Sequence, residues 1–375
     1  MVVYAAASQV LWRMSGAQLP HMLGMYTVSA AAGLAALRFR KHPPLEALVY
    51  LLPLLPSGVL TFLSIGDLER SRQLLIFNLS GPLALFTVLW LFGRGAGQIN
   101  LWKTVKTALG PLTSVGAAAF WYMHSLGGIE FGTESNFAAS GGFGPNQVAS
   151  ALSFGIVLLV AMLWMGKSIF RPLLWGLLAF FTIQTLLTFS RSGIAMAIGA
   201  AAVMSVFLLR TPRARLTAVI FFLVAGAVGN YMLVPWLNRY TEGAFEKRYT
   251  DPRMSNREVI ARTDLEIFRE HPILGVGPGM GTELRGALLG TKVAAHTEFT
   301  RLLAEHGLLG AISLAALLMI SWKLHRRASP GAGRALAVGL LVWSWLYFSV
   351  NAFRLILPGV GFLLAYALTE SREQH

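Results

Sequence analysis

Four stretches of this sequence carry residue types that can do chemistry. The first is His296-Thr-Glu-Phe-Thr-Arg-Leu-Leu-Ala-Glu-His-Gly-Leu-Leu-Gly310. It places a histidine directly before an apolar helical run, with Thr297 as a plausible N-cap. The positive end of a helix dipole disfavours imidazolium, so His296 is expected to stay neutral and able to accept a proton. That is the state a general base needs. A lone histidine is more often structural or solvated, so both readings stand at this point. Glu298 is a secondary candidate. His271, His296 and His306 do not suggest a metal centre, because no close-set ligand pair occurs.

The second stretch is Ser255-Asn-Arg-Glu-Val-Ile-Ala-Arg-Thr-Asp-Leu-Glu-Ile-Phe-Arg269. Ser255 and Glu258 have the spacing of a capping box, so a helix is expected from there. At helical spacing Arg257 and Asp264 share the face of Ile260, Ile267 and Phe268, where a charge is costly without a partner. Arg257 either pairs locally or serves a ligand. Arg262 and Arg269 fall on a face that reads as solvated. The helix runs into Glu270-His-Pro-Ile-Leu-Gly-Val-Gly-Pro-Gly279, whose glycines demand a tight turn or a close backbone approach. No strand precedes this segment and the glycine spacing is wrong for a dinucleotide loop.

The third is Thr188-Phe-Ser-Arg-Ser-Gly193, which sets Arg191 in an otherwise apolar stretch. An ionisable residue there is a functional candidate by default, although an arginine that snorkels to the interface is the plainer alternative. The fourth is Phe143-Gly-Pro-Asn-Gln-Val-Ala149, where Asn146 is well placed as an N-cap.

These residues must be positioned by a membrane bundle. Of the 375 residues 55% are hydrophobic and 13% charged, with a net charge of +14 and no cysteine. A soluble chain would be about a quarter charged. The absence of cysteine excludes disulfides, a cysteine nucleophile and thiolate metal sites. A transmembrane helix needs roughly 20 mainly apolar residues. Such spans are expected near 21–37, 44–64, 72–93, 101–123, 146–165, 172–189, 193–209, 215–235, 298–322, 334–350 and 353–368. Residues 2–19 are a weaker twelfth, interfacial or half-spanning, without the basic start or the exit site of a cleaved signal. The fold class is therefore all-α, a polytopic membrane protein with 11–12 helices.

Basic residues gather in alternate loops, which are expected to be cytoplasmic. The positive excess thus reads as a topology signal, with no call for nucleic acid. The longer loops at 124–145 and 236–297 fall on the opposite side, and long loops of this kind are usually functional. The chain is expected to be one membrane domain over 1–375, with 236–297 as a loop bearing short helices.

The four motifs, FGPNQVA, FSRSG, NREVIARTDLEIFREHPILGVGPG and HTEFTRLLAEHGLLG, occur in the order seen in the O-antigen ligase and polymerase superfamily of bacterial membrane glycosyltransferases, which residues 140–322 resemble. The last fits a ligase pattern of histidine, a small polar residue, nine residues and Gly-x-x-Gly. Here Thr297 stands where Asn, Ser or Gln is more usual.

The resemblance implies a GT-C-type enzyme of the bacterial inner membrane. It would work at the periplasmic face without a metal or any other cofactor. It would move a glycan from undecaprenyl pyrophosphate to a lipid A–core sugar. It carries the role of base onto His296 and pyrophosphate binding onto Arg191 and Arg257, with Arg262, Asp264, Asn146 and Glu298 as secondary candidates. Arginine suits a pyrophosphate because it stays charged and binds phosphate in bidentate fashion.

Rival readings are a polymerase or a protein O-oligosaccharyltransferase of the same superfamily, and, from another class, an anion transporter. A transporter should show broken helices and ionisable groups within the spans, whereas these spans read as mostly free of charge.

Overall fold

A computed structural model describes residues 1–16, 20–92, 100–165, 170–209, 212–251 and 257–370. Among them the regular structure is helical, with no strand. The chain opens with two short helices, α1 (Val2–Ala7) and α2 (Gln9–Met14). Together they are shorter than a bilayer's hydrocarbon core requires. There follow α3 (Leu23–Arg38), α4 (Leu45–Leu51), α5 (Gly58–Ile65), α6 (Leu68–Phe92), α7 (Leu101–Ser125), α8 (Pro145–Met165), α9 (Arg171–Leu187), α10 (Arg191–Leu208) and α11 (Pro212–Val228). Four short helices, α12 (Val234–Tyr240), α13 (Ala244–Thr250), α14 (Arg257–Glu270) and α15 (Met280–Leu289), precede the long α16 (Glu298–Arg327), α17 (Ala332–Val350) and α18 (Leu357–Glu370).

Each of the eleven expected spans contains a helix. Among the described residues six segments are long and apolar enough to cross a membrane: Leu45–Ile65, Leu68–Leu91, Pro145–Trp164, Arg191–Leu208, Glu298–Arg327 and Ala332–Val350. The chain is an all-helical, multi-pass membrane protein. Helix α6 starts at 68 and not 72 because the Asp67 carboxylate accepts from the Arg70 N–H at 2.9 Å, capping a first turn that is charged and solvated.

Small residues let the helices close on one another, as packing within lipid favours. Gly193 of α10 leaves no room for a methyl group against Ala149 of α8, and Gly361 of α18 lies on Ser344 of α17. The indole of Trp343, fully buried in α17, donates to Ser153 of α8 at 2.9 Å. These contacts gather α8, α10, α17 and α18 into the main apolar core.

Helix α16 is broken at Gly307, which adopts φ 60° and ψ −140°. The segment after α14 fills the breach. Leu308 N–H donates to the Pro272 carbonyl at 2.7 Å, while Val276 and Gly277 donate to the Ala304 and Glu305 carbonyls at 3.0 and 2.9 Å. Backbone groups freed at such a break must find partners when water is absent. This is what the glycines of residues 270–279 serve. A side chain at Gly275 would fall on the backbone of Glu305 and His306, and one at Gly277 on Thr61. The close approach is to the chain itself.

Most spans are poor in charge, as expected, but α16 departs from this. The first turns of α16 also bury Glu298, Arg301 and Glu305. These charges are tolerated because they pair: Arg301 donates to Glu298 at 2.8 and 2.5 Å and to Glu305 at 2.7 Å.

Candidate active site

His296 stands one residue before the N-cap of α16. Thr297 is that cap, its hydroxyl accepting from the Thr300 N–H at 3.1 Å. The turn is tied inward: the Thr300 hydroxyl donates to Asp264 of α14 at 2.8 Å and meets the Thr297 hydroxyl at 2.8 Å. Asp264 in turn receives the guanidinium of Arg285 from α15. Both side chains of that ion pair are fully buried. Arg285 spends its other donors on the Val293 carbonyl at 2.9 Å and the Thr282 hydroxyl at 3.1 Å. Asp264 is therefore a mount for the histidine turn, held through Thr300 and Thr297.

Helix α14 buries Ile260, Asp264 and Ile267 and exposes Arg262 and Arg269, as its periodicity requires. Its expected cap, Ser255, lies outside the described residues. Arg262 pairs with Glu258 at 2.6 Å on the exposed face, away from the buried face that carries Asp264. Arg257 is half-buried. Among the described residues its guanidinium reaches only the Val350 carbonyl, at 3.4 Å, and meets no carboxylate.

Arg191 opens α10 after a tight turn in which Phe189 adopts φ 56°, a costly conformation for a bulky residue. The turn is over-determined. The Thr188 hydroxyl donates to the Thr185 carbonyl at 2.7 Å and accepts from the Ser190 N–H at 3.2 Å, while the Asn136 N–H donates to the Thr188 carbonyl at 2.9 Å. The Phe189 ring is buried against Phe131 and Phe245. Arg191 thus projects from the positive end of α10, where a cation is disfavoured unless an anion is near. It donates to the Asp251 carbonyl.

Asn146 is not the N-cap of α8, because the helix already begins at Pro145. Its carbonyl oxygen Oδ1 accepts from the Ser190 hydroxyl at 2.7 Å, which joins the start of α8 to the Arg191 turn. The side chain is used across helices, where it fixes the hairpin.

Two basic residues outside the four motifs complete the constellation. Arg248 of α13 is buried, donating to the Phe189 carbonyl at 3.1 Å and the Thr133 carbonyl at 3.0 Å. Burial, then Arg191, holds its guanidinium below the ordinary arginine value. Arg257 is lowered likewise, by burial, then Arg248 and Arg191. Arg354, in the turn between α17 and α18, is the other. The rule that picks out Arg191 could have found it, since it too is a lone arginine between apolar runs. Arg248 carries no such signal, as residues 244–251 are rich in charge.

His296 is half-buried, and burial together with Arg257, Arg354 and Arg285 pushes it down to about 4. The ring is neutral at neutral pH. Because kcat/KM reports the free enzyme's groups, its profile should lack a histidine step near pH 6.5. The loss should come as pH falls through about 4, where His296 takes up its proton. A step of one proton at pH 6–7 that disappears in His296→Gln would contradict this.

Glu298, buried, accepts from Arg301 and from the Phe353 N–H at 2.9 Å, and so fastens the Arg354 turn beside His296. Among the described residues no cluster of histidine and carboxylate side chains is arranged to hold a metal. The candidate site thus sets a half-buried histidine in the electrostatic reach of several arginines. No curated protein matches the chain. Residues 177–315, which carry Arg191, Arg248, Arg257 and His296 together, match the family model described as O-antigen ligase.

Proposed function

We propose that the protein is an O-antigen ligase, a metal-independent GT-C-type glycosyltransferase of the bacterial inner membrane. It moves a glycan from undecaprenyl pyrophosphate to a sugar of lipid A–core. The observation that carries this reading is a His296 kept neutral within electrostatic reach of Arg257, which in turn feels Arg248 and Arg191. In this reading residues 236–297 and the site face the periplasm, and residues 1–375 form one membrane domain.

The chemistry follows from the groups present. The acceptor hydroxyl attacks the anomeric carbon, forming the new glycosidic bond, and the bond from that carbon to the pyrophosphate oxygen breaks. The hydroxyl proton passes to His296. The electron pair of the broken bond leaves with the lipid pyrophosphate, whose added negative charge Arg191 and Arg257 receive. Attack from the face opposite the pyrophosphate would invert the anomeric carbon.

Donors aimed at developing charge are worth ~3 kcal/mol each, or about a hundredfold in rate. Arg191→Lys and Arg257→Lys keep the charge but lose the bidentate fork. Each should lower kcat/KM about a hundredfold in a transfer assay on purified, folded protein. Wild-type rates in both would overturn the role given to the arginines.

A transporter would also call for a broken helix and buried charges, but in α16 both are satisfied internally. The breach is filled by residues 272–277, and the carboxylates are bound to Arg301. That arrangement supports a rigid site over a moving gate.

A further inference from the structure

The turn that bears Arg354 lies beyond the family-matched residues and is held from two sides. Phe353 N–H donates to Glu298 at 2.9 Å. The Gln9 side chain donates to the Arg354 carbonyl at 3.1 Å and accepts from the Ile356 N–H at 2.9 Å. On this mount the Arg354 guanidinium lies over the Phe77 ring, 5.5 Å from its centre. Among the described residues it makes no hydrogen bond or ion pair.

Arg354 faces a cavity of about 170 Å³, walled by Met22, Phe77, Asn78, Thr282 and Ala352. That is room for a phosphate group or several waters, at about 30 Å³ per water. The other charges on its wall are partnered. Glu283 binds Arg70 at 2.8 Å and Lys292 at 2.6 Å, Arg285 binds Asp264, and Glu305 binds Arg301. Glu298 and Glu305 share one arginine, and their surplus charge acts on Arg354 only at longer range.

A second arginine also meets no carboxylate among the described residues. Arg13 donates to the His21 carbonyl at 2.9 Å, to Gln147 at 2.5 Å and to the Met22 sulfur at 3.6 Å. His296 feels both Arg257 and Arg354, and Arg257 in turn feels Arg248 and Arg191. The cavity is lined by Ala295, the residue before His296, as well as by Arg354. An enclosed, unpaired guanidinium is costly until an anion arrives.

We propose that Arg354 and this cavity form an acceptor subsite for an anionic substituent, a phosphate or a carboxylate, on the sugar that receives the glycan. The inference rests on the transfer reading above: with the donor pyrophosphate on Arg191 and Arg257, the acceptor must reach His296 from the remaining side.

The test is calorimetric titration of the purified full chain with glucose 6-phosphate, galacturonate, glucose and inorganic pyrophosphate. Glucose 6-phosphate, galacturonate or both should bind and glucose should not; whichever binds through Arg354 identifies the anion. Arg354→Gln should weaken that binding roughly ten- to a hundredfold and leave pyrophosphate unchanged. Arg257→Gln should do the reverse. Arg354→Lys, which keeps the charge, should fall in between, and it guards against a misfolded glutamine variant.

Failure of the wild type to bind either anionic sugar overturns the proposal. So does an equal loss of sugar anion and pyrophosphate in Arg354→Gln. A chain that binds the sugar anion through Arg354 but transfers no glycan keeps the subsite and overturns the transfer reading. A chain that glycosylates a phosphate- and carboxylate-free acceptor as fast as the native one does the opposite.

Discussion

Cells whose only copy carries His296→Ala should lose the long-chain bands of lipopolysaccharide, keep the lipid A–core band and accumulate carrier-linked glycan. A positioned base contributes about 10²–10⁴-fold. Here the remaining machinery cannot replace it, because the carboxylates nearest the turn, Asp264 and Glu298, are already bound to Arg285 and Arg301. The variant should nevertheless fold, since the cap of α16 belongs to Thr297 and its tie to Asp264 runs through Thr300. The same bands in wild-type and variant cells, at equal protein levels, would remove His296 from the mechanism. Core capped by a single repeat would point instead to a polymerase.

The second large effect is on stability. Arg285→Leu should destabilise the region by about 3–5 kcal/mol, because it leaves the fully buried Asp264 without its ion partner. A lower unfolding temperature and a poorer yield by fluorescence-detected gel filtration would read this out. Replacing both partners, Asp264→Leu with Arg285→Leu, should recover much of the stability, since a buried pair exchanged for apolar groups is often neutral. It should not recover the activity, because Asp264 also accepts from Thr300 and so sets the His296 turn. A single Arg285→Leu variant as stable as the parent would contradict the structural role given to this pair.

The legible parts of this molecule are those governed by local rules. The faces of α14 follow from helical spacing, and Thr297 caps α16 as its position suggests. The apolar stretches are helical, and for the six long enough to cross a membrane little else could satisfy their backbone in lipid. Interactions between distant segments are not legible. Asn146 has the place of a cap and instead binds Ser190, 44 positions away. The glycines at 275 and 277 call for close approach, but only the fold shows that they meet the broken α16 and Thr61. Arg248 enters the site because α13 packs beside the Phe189 turn before α10, a tertiary fact that no local pattern records. That Arg257 meets no carboxylate among the described residues is likewise a property of the assembled bundle.

The central claim is tested most directly by reconstitution. The purified chain, placed in vesicles with an undecaprenyl-pyrophosphate-linked glycan and lipid A–core in the presence of a metal chelator, should yield glycosylated lipid A–core and an equal amount of undecaprenyl pyrophosphate by mass spectrometry. Intact donor and unmodified lipid A–core, from protein shown to be folded, would contradict it.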